Sequence, residues 1–124
     1  MKNKDGAFVS PDSKSFQAAA ASADWAKAPG FNLLLTDQAG KDSWPITGAT
    51  FILIPTQPKN AATAKSVIGF FDWAYTNGDA AASGLDYVPL PEALIKQVRA
   101  TWKAEIKGIP ALSEAAPVSS AKQM

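Results

Sequence analysis

Acid–base chemistry in this sequence would fall to carboxylates, Lys or Tyr, because the chain contains no histidine and no cysteine. Two carboxylates can act as general acid and general base when they flank one reacting bond. The acidic residues between positions 72 and 105 are instead scattered, and no spacing pairs two of them. We interpret them as solvated helix surfaces and caps, since charged side chains mostly lie outside the core. They are Asp72, Asp79, Asp86, Glu92 and Glu105.

The missing residue types exclude several classes of site. Without histidine there is no Ser-His-Asp triad and no His-ligated zinc, and without cysteine there is no disulfide or thiolate–metal site. Neither a GxxxxGK[ST] run nor a GxGxxG run occurs. The sequence therefore predicts that the protein is not an enzyme, and it predicts no metal site and no cofactor.

Two further groups of residues could bind a ligand. Phe70, Phe71, Trp73 and Tyr75 crowd one predicted helix and could stack on a base or a sugar. Core packing is the better interpretation, because these aromatics fall on apolar periodic positions. Gly48 lies between Thr47 and Thr50 and could form an anion-binding turn. Such turns usually lead into a helix, whereas a strand is predicted here, so we interpret Gly48 as a bend or hinge.

Composition and charge bound the class of protein. The 124 residues are 47% apolar and 19% charged, the balance of one globular domain. Net charge is +1, so no basic surface is available for nucleic acid. No apolar run is long enough to span a bilayer. The first twelve residues, MKNKDGAFVSPD, carry charge but no apolar segment, so we expect no secretory signal in this sequence.

The predicted secondary structure is dominated by helices. A short helix is expected over 13–23, with Ser10 as N-cap and Pro11 at its first position. A second is expected from Asn60, its N-cap, to Gly78, with Ala64, Val67, Phe71 and Ala74 on its apolar stripe. A last helix begins at Pro91 and ends at Gly108, with an apolar face formed by Leu94, Ile95, Val98, Trp102 and Ile106. Phe71 and Trp102 are expected in the core.

Two apolar runs predict strands. Residues 31–36 form a short apolar run, and residues 51–54 are continuously apolar. A continuous run of this kind is typical of a strand buried on both faces of a largely parallel sheet. Such a strand needs neighbours that this chain barely supplies. Residues 109–124 are rich in Pro, Ala and Ser and are expected to form a loose tail.

Five segments in one order resemble the periplasmic phosphate-binding proteins of phosphate ABC importers. The combination of WPIT, FFDWAY, LDYVPLP and VRATWK is the specific part of the likeness, which covers residues 4–108. The five segments are DGAFVSPDSKSF (5–16), ADWAKAPGF (23–31), SWPITGATFILI (43–54), GFFDWAYTNGDAAASGLDYVPLP (69–91) and QVRATWKAEIKG (97–108).

The resemblance implies a fold and a division of the chain. The fold is α/β, the C-terminal portion of a two-lobed periplasmic-binding-protein fold (type II), helix-dominated with two or three strands. Residues 1–46 are then a remnant of the second lobe, and 51–108 are the C-terminal part of the first. The hinge crossing between them, 47–50, agrees with the predicted bend. The hinge candidates are Ile46, Thr47, Gly48, Ala49 and Thr50.

The resemblance also implies a function. It is that of the substrate-binding component of a phosphate ABC importer, which binds inorganic phosphate in the periplasm and delivers it to membrane permease subunits. The family's phosphate ligands come from an earlier part of its chain, and no position here matches them. We therefore expect a C-terminal fragment whose exposed surfaces self-associate. The alternative is an autonomous protein-interaction module derived from the same fold, with no ligand of its own.

Overall fold

Four α-helices organise residues 1–109. The computed structural model describes residues 1–109, so the predicted tail, 109–124, lies outside the described residues apart from its first residue. The helices are α1 (Ser13–Ser22), α2 (Ala61–Asn77), α3 (Asp79–Gly84) and α4 (Glu92–Glu105). Two short 3₁₀ turns, Trp25–Lys27 and Pro29–Phe31, follow α1.

The start of α1 differs from the prediction. Asp12, rather than Ser10, is the N-cap, and its carboxylate accepts a hydrogen bond of 2.8 Å from the backbone NH of Ser15. The hydroxyl of Ser15 accepts one of 3.1 Å from the NH of Asp12, which completes a reciprocal capping box. Both Ser and Asp are favourable caps, and the pairing with Ser15 decides between them.

Helix α2 has the predicted bounds. The side-chain oxygen of Asn60 accepts a hydrogen bond of 2.9 Å from the NH of Thr63, as an N-cap should. Gly78 follows the last residue, and its NH donates to the carbonyl of Ala74 at 2.7 Å. A Cβ at Gly78 would lie 2.5 Å from that carbonyl oxygen. Glycine is therefore required for this close approach, although its φ of −89° suits any residue.

Helix α4 packs through its first half and is tied down at its end. Leu94 and Ile95 are buried, whereas Trp102 is only half-buried. The predicted apolar face is therefore present, but it is covered only near its start. Beyond the helix, the NH of Lys107 donates to the carbonyl of Thr56 at 2.9 Å. This hydrogen bond joins the end of α4 to the loop that precedes α2.

The predicted two or three strands are wrong for residues 1–109. The only ladder contact there is an isolated antiparallel bridge between Lys2 and Phe8. Both apolar runs, 31–36 and 51–54, are free of strand structure, and Leu53 is 94% exposed. Strands form by pairing with other strands, and this part of the chain contains no partner for either run.

The main core cluster links α1 and the 3₁₀ turns to α4. Its buried members are apolar residues from both halves of the chain, and Phe31, Leu33, Ala49, Leu90 and Val98 pack around them. The indole NH of Trp25 donates to the carbonyl of Ala20 at 2.7 Å, so the one polar atom of that ring is satisfied. The buried members are Ala20, Ala23, Trp25, Leu35 and Leu94.

The side chain of Asn3 forms a set of hydrogen bonds, here called the polar clasp, that holds the N-terminal arm of the chain. The buried side-chain amide of Asn3 donates to the carbonyls of Gly40, Lys41 and Ser43 at 3.1, 2.8 and 3.2 Å. Its oxygen accepts from the NH of Ala7 at 3.0 Å. One side chain thus fixes the arm on the loop that precedes the hinge candidates.

Within residues 1–109 we find no helix whose length and apolar character would let it cross a lipid bilayer.

Candidate functional site

The hinge candidates form an irregular segment held on both sides of Gly48. Thr47 is buried, and its hydroxyl donates to the carbonyl of Trp44 at 3.0 Å. Ala49 packs against the core cluster, whereas Ile46 is exposed. Thr50, also exposed, completes the segment. Gly48 therefore lies between two anchored neighbours, which is the arrangement that a bend or pivot needs.

Gly48 itself is unconstrained by its surroundings. A Cβ added there would meet no atom within 4 Å, and its φ does not lie in the left-handed region. No helix follows at once, since α2 begins only at Ala61. The anion-binding turn considered from the sequence thus lacks the helix N-terminus that usually completes such a site.

An ion pair joins α2 to α4. The guanidinium Nε of Arg99 donates to the carboxylate of Asp72 at 2.6 Å, and Nη2 donates to the hydroxyl of Thr76 at 2.9 Å. Both charged side chains are partly shielded from solvent. Arg99 therefore contacts two side chains of α2 at once, the carboxylate of Asp72 and the hydroxyl of Thr76.

Sequence reasoning did not single out Arg99. The available signal was its position, because Ile95, Arg99 and Trp102 follow at i, i+4 and i+7 on one helix face. A single positively charged residue among apolar residues of one helix face indicates an acidic or polar partner on the element that packs against that face. That partner is Asp72, one of the scattered carboxylates.

An aromatic stack lies beside this ion pair. The rings of Tyr75 and Trp102 are 5.9 Å apart with an interplanar angle of 25°. Burial raises the pKa of the Tyr75 hydroxyl above its ordinary value, and the positive charge of Arg99 opposes that rise. The neutral phenol is therefore the form that the folded protein favours.

We expect Tyr75 to make the protein sensitive to alkali. Its folded-state pKa is raised, so its stabilising contribution is complete below the unfolded-state pKa of about 10. That contribution is lost as pH rises through the folded-state pKa. Urea unfolding at a series of alkaline pH values should show a smaller loss of stability in Tyr75→Phe than in the parent. The matched control is Tyr87→Phe, which alters an exposed tyrosine and should lose as much stability at alkaline pH as the parent does. An equal loss of stability in Tyr75→Phe and Tyr87→Phe would contradict the role of Tyr75.

The aromatic residues of α2 divide between two faces. Phe71 and Tyr75 are half-buried, whereas Phe70 is 60% and Trp73 46% exposed. The rings of Phe70 and Trp73 lie 6.5 Å apart and stack on the solvent side. The prediction that all four aromatics pack in the core is thus wrong for Phe70 and Trp73, which face outward.

The remaining acidic residues do not converge. Asp79 lies in the first turn of α3, and Glu92 pairs with Lys96 at 2.8 Å on the surface of α4. Among residues 1–109 no group of three or more His, Cys, Asp or Glu side chains could hold a metal ion.

A shallow cleft lies between the 3₁₀ turns and α4. Its volume is about 330 Å³, and Trp25, Phe31 and Pro29 line one wall. Gln97, Thr101 and Glu105 are among the residues of the other wall, and none of the residues within 1–109 that line the cleft is Lys or Arg. An inorganic anion would meet a carboxylate there and no cation, so the cleft is not suited to phosphate.

Curated relatives match most of the chain. The phosphate-binding protein PstS of Pasteurella multocida (strain Pm70) is 48% identical over 107 residues, which are 86% of this chain and 31% of that protein. The protein of the same name from Xylella fastidiosa (strain Temecula1) is 47% identical over 107 residues, 86% of this chain and 29% of its own length. That of Haemophilus influenzae is 44% identical, with 86% and 32% covered. No protein-family model matches the chain.

These relatives are named as binding proteins rather than enzymes, in agreement with the prediction from the sequence. The chain spans about a third of the length of the curated relatives that it matches. Identity at this level over 86% of the chain confirms the resemblance seen in its motifs. The chain belongs to the family of the phosphate-binding proteins PstS, and it corresponds to their C-terminal part.

Proposed function

We propose that this chain supplies scaffold and hinge to the substrate-binding component of a phosphate ABC importer. The complete receptor binds inorganic phosphate in the periplasm and passes it to the membrane permease subunits. The observation that carries the proposal is the 48% identity over 107 residues with a relative named as a phosphate-binding protein. The phosphate ligands belong to the part of the receptor beyond the match.

The contacts of the described residues support a scaffold role. Arg99, the one arginine of the sequence, is engaged by Asp72 and Thr76 rather than pointing into an open site. The cleft beside α4 offers an anion a carboxylate and no cation. Phosphate recognition in proteins relies on cationic side chains or on converging NH groups, and these residues provide neither arrangement.

We also propose the division into 1–46, from the second lobe, 47–50, the hinge crossing, and 51–108, from the first lobe. Supporting it, Gly48 is the unconstrained residue between anchored Thr47 and Ala49. The core cluster, which contains both Trp25 and Leu94, spans the two parts. Opening at the hinge would have to separate or rearrange that cluster.

A chimera tests the proposal. The matched C-terminal third of the Pasteurella multocida relative is replaced by the matching residues of this chain, and phosphate binding is measured by calorimetric titration. We expect a dissociation constant within about tenfold of the unmodified relative, a difference of about 1.4 kcal/mol. A chimera that folds by circular dichroism but does not bind phosphate would show that the chain is not an equivalent part.

The 124-residue chain alone is titrated in parallel. We expect no heat of phosphate binding from a sample shown to be folded. Micromolar binding by the chain alone would leave the family assignment intact, but it would overturn the placement of the ligands in the other part of the receptor.

Gly48→Ala tests whether Gly48 is a pivot of the hinge or only a bend in the chain. In the 124-residue chain the exchange should be neutral or stabilise by about 0.4–1 kcal/mol, because alanine fits the observed conformation and restricts the unfolded chain. In the chimera, a pivot that changes φ and ψ during closure should lose phosphate affinity on the same exchange. Equal phosphate affinity with Gly48 and with alanine at this position would argue against Gly48 as the pivot.

The outward aromatic pair favours the second candidate, a protein-interaction module. Phe70 and Trp73 expose contiguous apolar surface on α2, and such patches mark interaction sites on soluble proteins. In this case the chimera would fail to bind phosphate while the 124-residue chain remained a stable monomer.

A further inference from the structure

Asn77 and Gly78 form the one Asn-Gly step of the sequence, and they lie where α2 ends and α3 begins. The side chain of Asn77 is exposed to solvent. Because Gly78 has no side chain, its backbone nitrogen is the least hindered that a preceding asparagine can meet. Glycine is required at 78 by the close approach to the carbonyl of Ala74. The turn between the two helices therefore retains a step that is chemically labile.

We propose that Asn77 is a site of spontaneous deamidation, and that local opening of the last turn of α2 limits its rate. The Gly78 nitrogen loses its proton to hydroxide and attacks Cγ of Asn77. The new N–Cγ bond forms as the Cγ–Nδ2 bond breaks, and the leaving nitrogen takes a proton from water and departs as ammonia. Water then opens the resulting succinimide at either carbonyl, which yields aspartate or isoaspartate. The net change is the addition of one water and the loss of one ammonia.

Two hydrogen bonds of the folded helix oppose the attack. The NH of Gly78 donates to the carbonyl of Ala74 at 2.7 Å, so the proton that must leave is held by an acceptor. The side-chain Nδ2 of Asn77 donates to the carbonyl of Trp73 at 3.0 Å, which holds the amide against the preceding turn. Both bonds belong to the last turn of α2, and helix ends open locally at a small free-energy cost. Opening of this turn releases the nucleophile and the leaving group together.

Arg99 of α4 restrains the same turn. Its Nη2 donates to the hydroxyl of Thr76 at 2.9 Å, and that hydroxyl donates to the carbonyl of Asp72 at 3.0 Å. Thr76 directly precedes Asn77, so the contact between helices holds the residue next to the labile step. Loss of the contact should make the turn open more often.

The products would weaken the turn further. A carboxylate at position 77 places negative charge at the C-terminal end of α2, where the helix dipole disfavours it. A carboxylate also has no proton to donate to the carbonyl of Trp73. Isoaspartate adds a methylene group to the main chain and so displaces the NH of Gly78 from the carbonyl of Ala74. Deamidation thus loosens the junction of α2 and α3 and removes the net charge of +1.

Peptide mapping of the 124-residue chain tests the proposal. The chain is incubated at mildly alkaline pH, folded or in urea, and is then digested with trypsin. The tryptic peptide 66–96 contains no asparagine except Asn77 and no glutamine, so an NH₂-to-OH mass shift in it reports this site alone. We expect the folded chain to deamidate between about tenfold and a thousandfold more slowly than the chain in urea. Equal rates, or a rate in the folded chain below this range, would overturn the proposal.

Two variants loosen the last turn of α2 without touching the labile step. In Arg99→Ala and Thr76→Val, the ratio of folded to urea rates should rise about three- to tenfold, because a hydrogen bond that restrains the turn is lost. Thr76→Val keeps the ion pair of Arg99 with Asp72 and the shape of the side chain. The matched control is Lys96→Ala, which removes an exposed cation of α4 that pairs with Glu92 and should leave the ratio unchanged. If the three ratios are alike, opening of this turn is not the limiting event.

A distant destabilising variant separates local opening from global unfolding. Asn3→Ala removes the polar clasp and leaves the contacts of α2 in place, so its deamidation ratio should equal that of the parent. A rise as large as that in Arg99→Ala would show that deamidation proceeds through the unfolded chain, contrary to the proposal. Asn77→Gln should show no mass shift in 66–96 over the same period, because glutamine would have to close a less favourable six-membered ring. A shift in that variant equal to the parent's would exclude Asn77 as the site.

Discussion

Trp25→Ala should lower the free energy of unfolding by about 3–5 kcal/mol. Trp25 is only 7% exposed and belongs to the core cluster with Ala23 and Leu94. Its removal leaves a cavity where α1 and the 3₁₀ turns meet α4, and it leaves the carbonyl of Ala20 without the indole donor. Urea unfolding followed by circular dichroism measures the difference.

Trp73→Ala provides the matched control for this prediction. The same ring is removed from the solvent side of α2, where Trp73 is 46% exposed. The loss there should stay below about 1 kcal/mol, within the range of ordinary surface substitutions. If the two alanine variants unfold at the same urea concentration, Trp25 is not the centre of the core.

Asn3→Ala should cost about 2–3 kcal/mol, because the alanine methyl group replaces four hydrogen bonds. The carbonyls of Gly40, Lys41 and Ser43 would lose the Asn3 amide as donor, and Ser43 is almost completely buried. The Gly40 carbonyl would still accept from the NH of Ser43. The N-terminal arm should then detach from the loop. Thermal unfolding, with hydrogen exchange at the Ala7 amide, measures both effects.

Asn3→Asp distinguishes a lost donor from lost volume. The carboxylate has nearly the shape of the amide but turns an oxygen toward three carbonyl oxygens, so it should destabilise the protein at least as much as alanine does at pH 7. Asn32→Ala removes an exposed asparagine outside the clasp and should stay within about 0.5 kcal/mol of the parent. An aspartate variant as stable as the parent would contradict the clasp.

Helix α2 shows how far the sequence alone could define the fold. Its bounds were predicted correctly, because Asn60 and Gly78 act on backbone groups within four residues of themselves. Its apolar stripe was predicted only in part, since Ala64 is buried as expected, whereas Val67 is exposed and Ile68 is buried instead. Apolar residues occur on all sides of this helix, so hydrophobic periodicity by itself could not identify the buried face.

The core was predicted less well than the helices. Trp102 and Phe71 were expected to be core residues, and both are half-buried, whereas Trp25 is buried. Trp102 lies on a clear four-residue repeat, which indicates an apolar face but not how much of that face is covered. Trp25 lies in a 3₁₀ turn, where no periodicity marks it.

The two strand predictions failed for a physical reason. Residues 51–54 have the composition of a strand, but a strand exists only when a second strand supplies its hydrogen bonds. Local sequence cannot supply that partner. The hinge segment came from the family resemblance together with the Thr47-Gly48 bend, and it stays a prediction. The contact of Arg99 with Asp72 joins residues far apart in sequence, so only the three-dimensional packing could pair them.

The hydrogen bond from the NH of Lys107 to the carbonyl of Thr56 has a consequence for the order in which the protein opens. It closes the chain from Thr56 to Lys107 into a ring that contains α2, α3 and α4. When α4 unfolds from its C-terminal end, this hydrogen bond must break before the unfolding reaches Trp102 and its stacking partner Tyr75. The Lys107 amide, on an exposed residue just beyond a helix, should therefore exchange with solvent as slowly as the ring opens. Hydrogen exchange at this single amide then reports whether α2, α3 and α4 are held together.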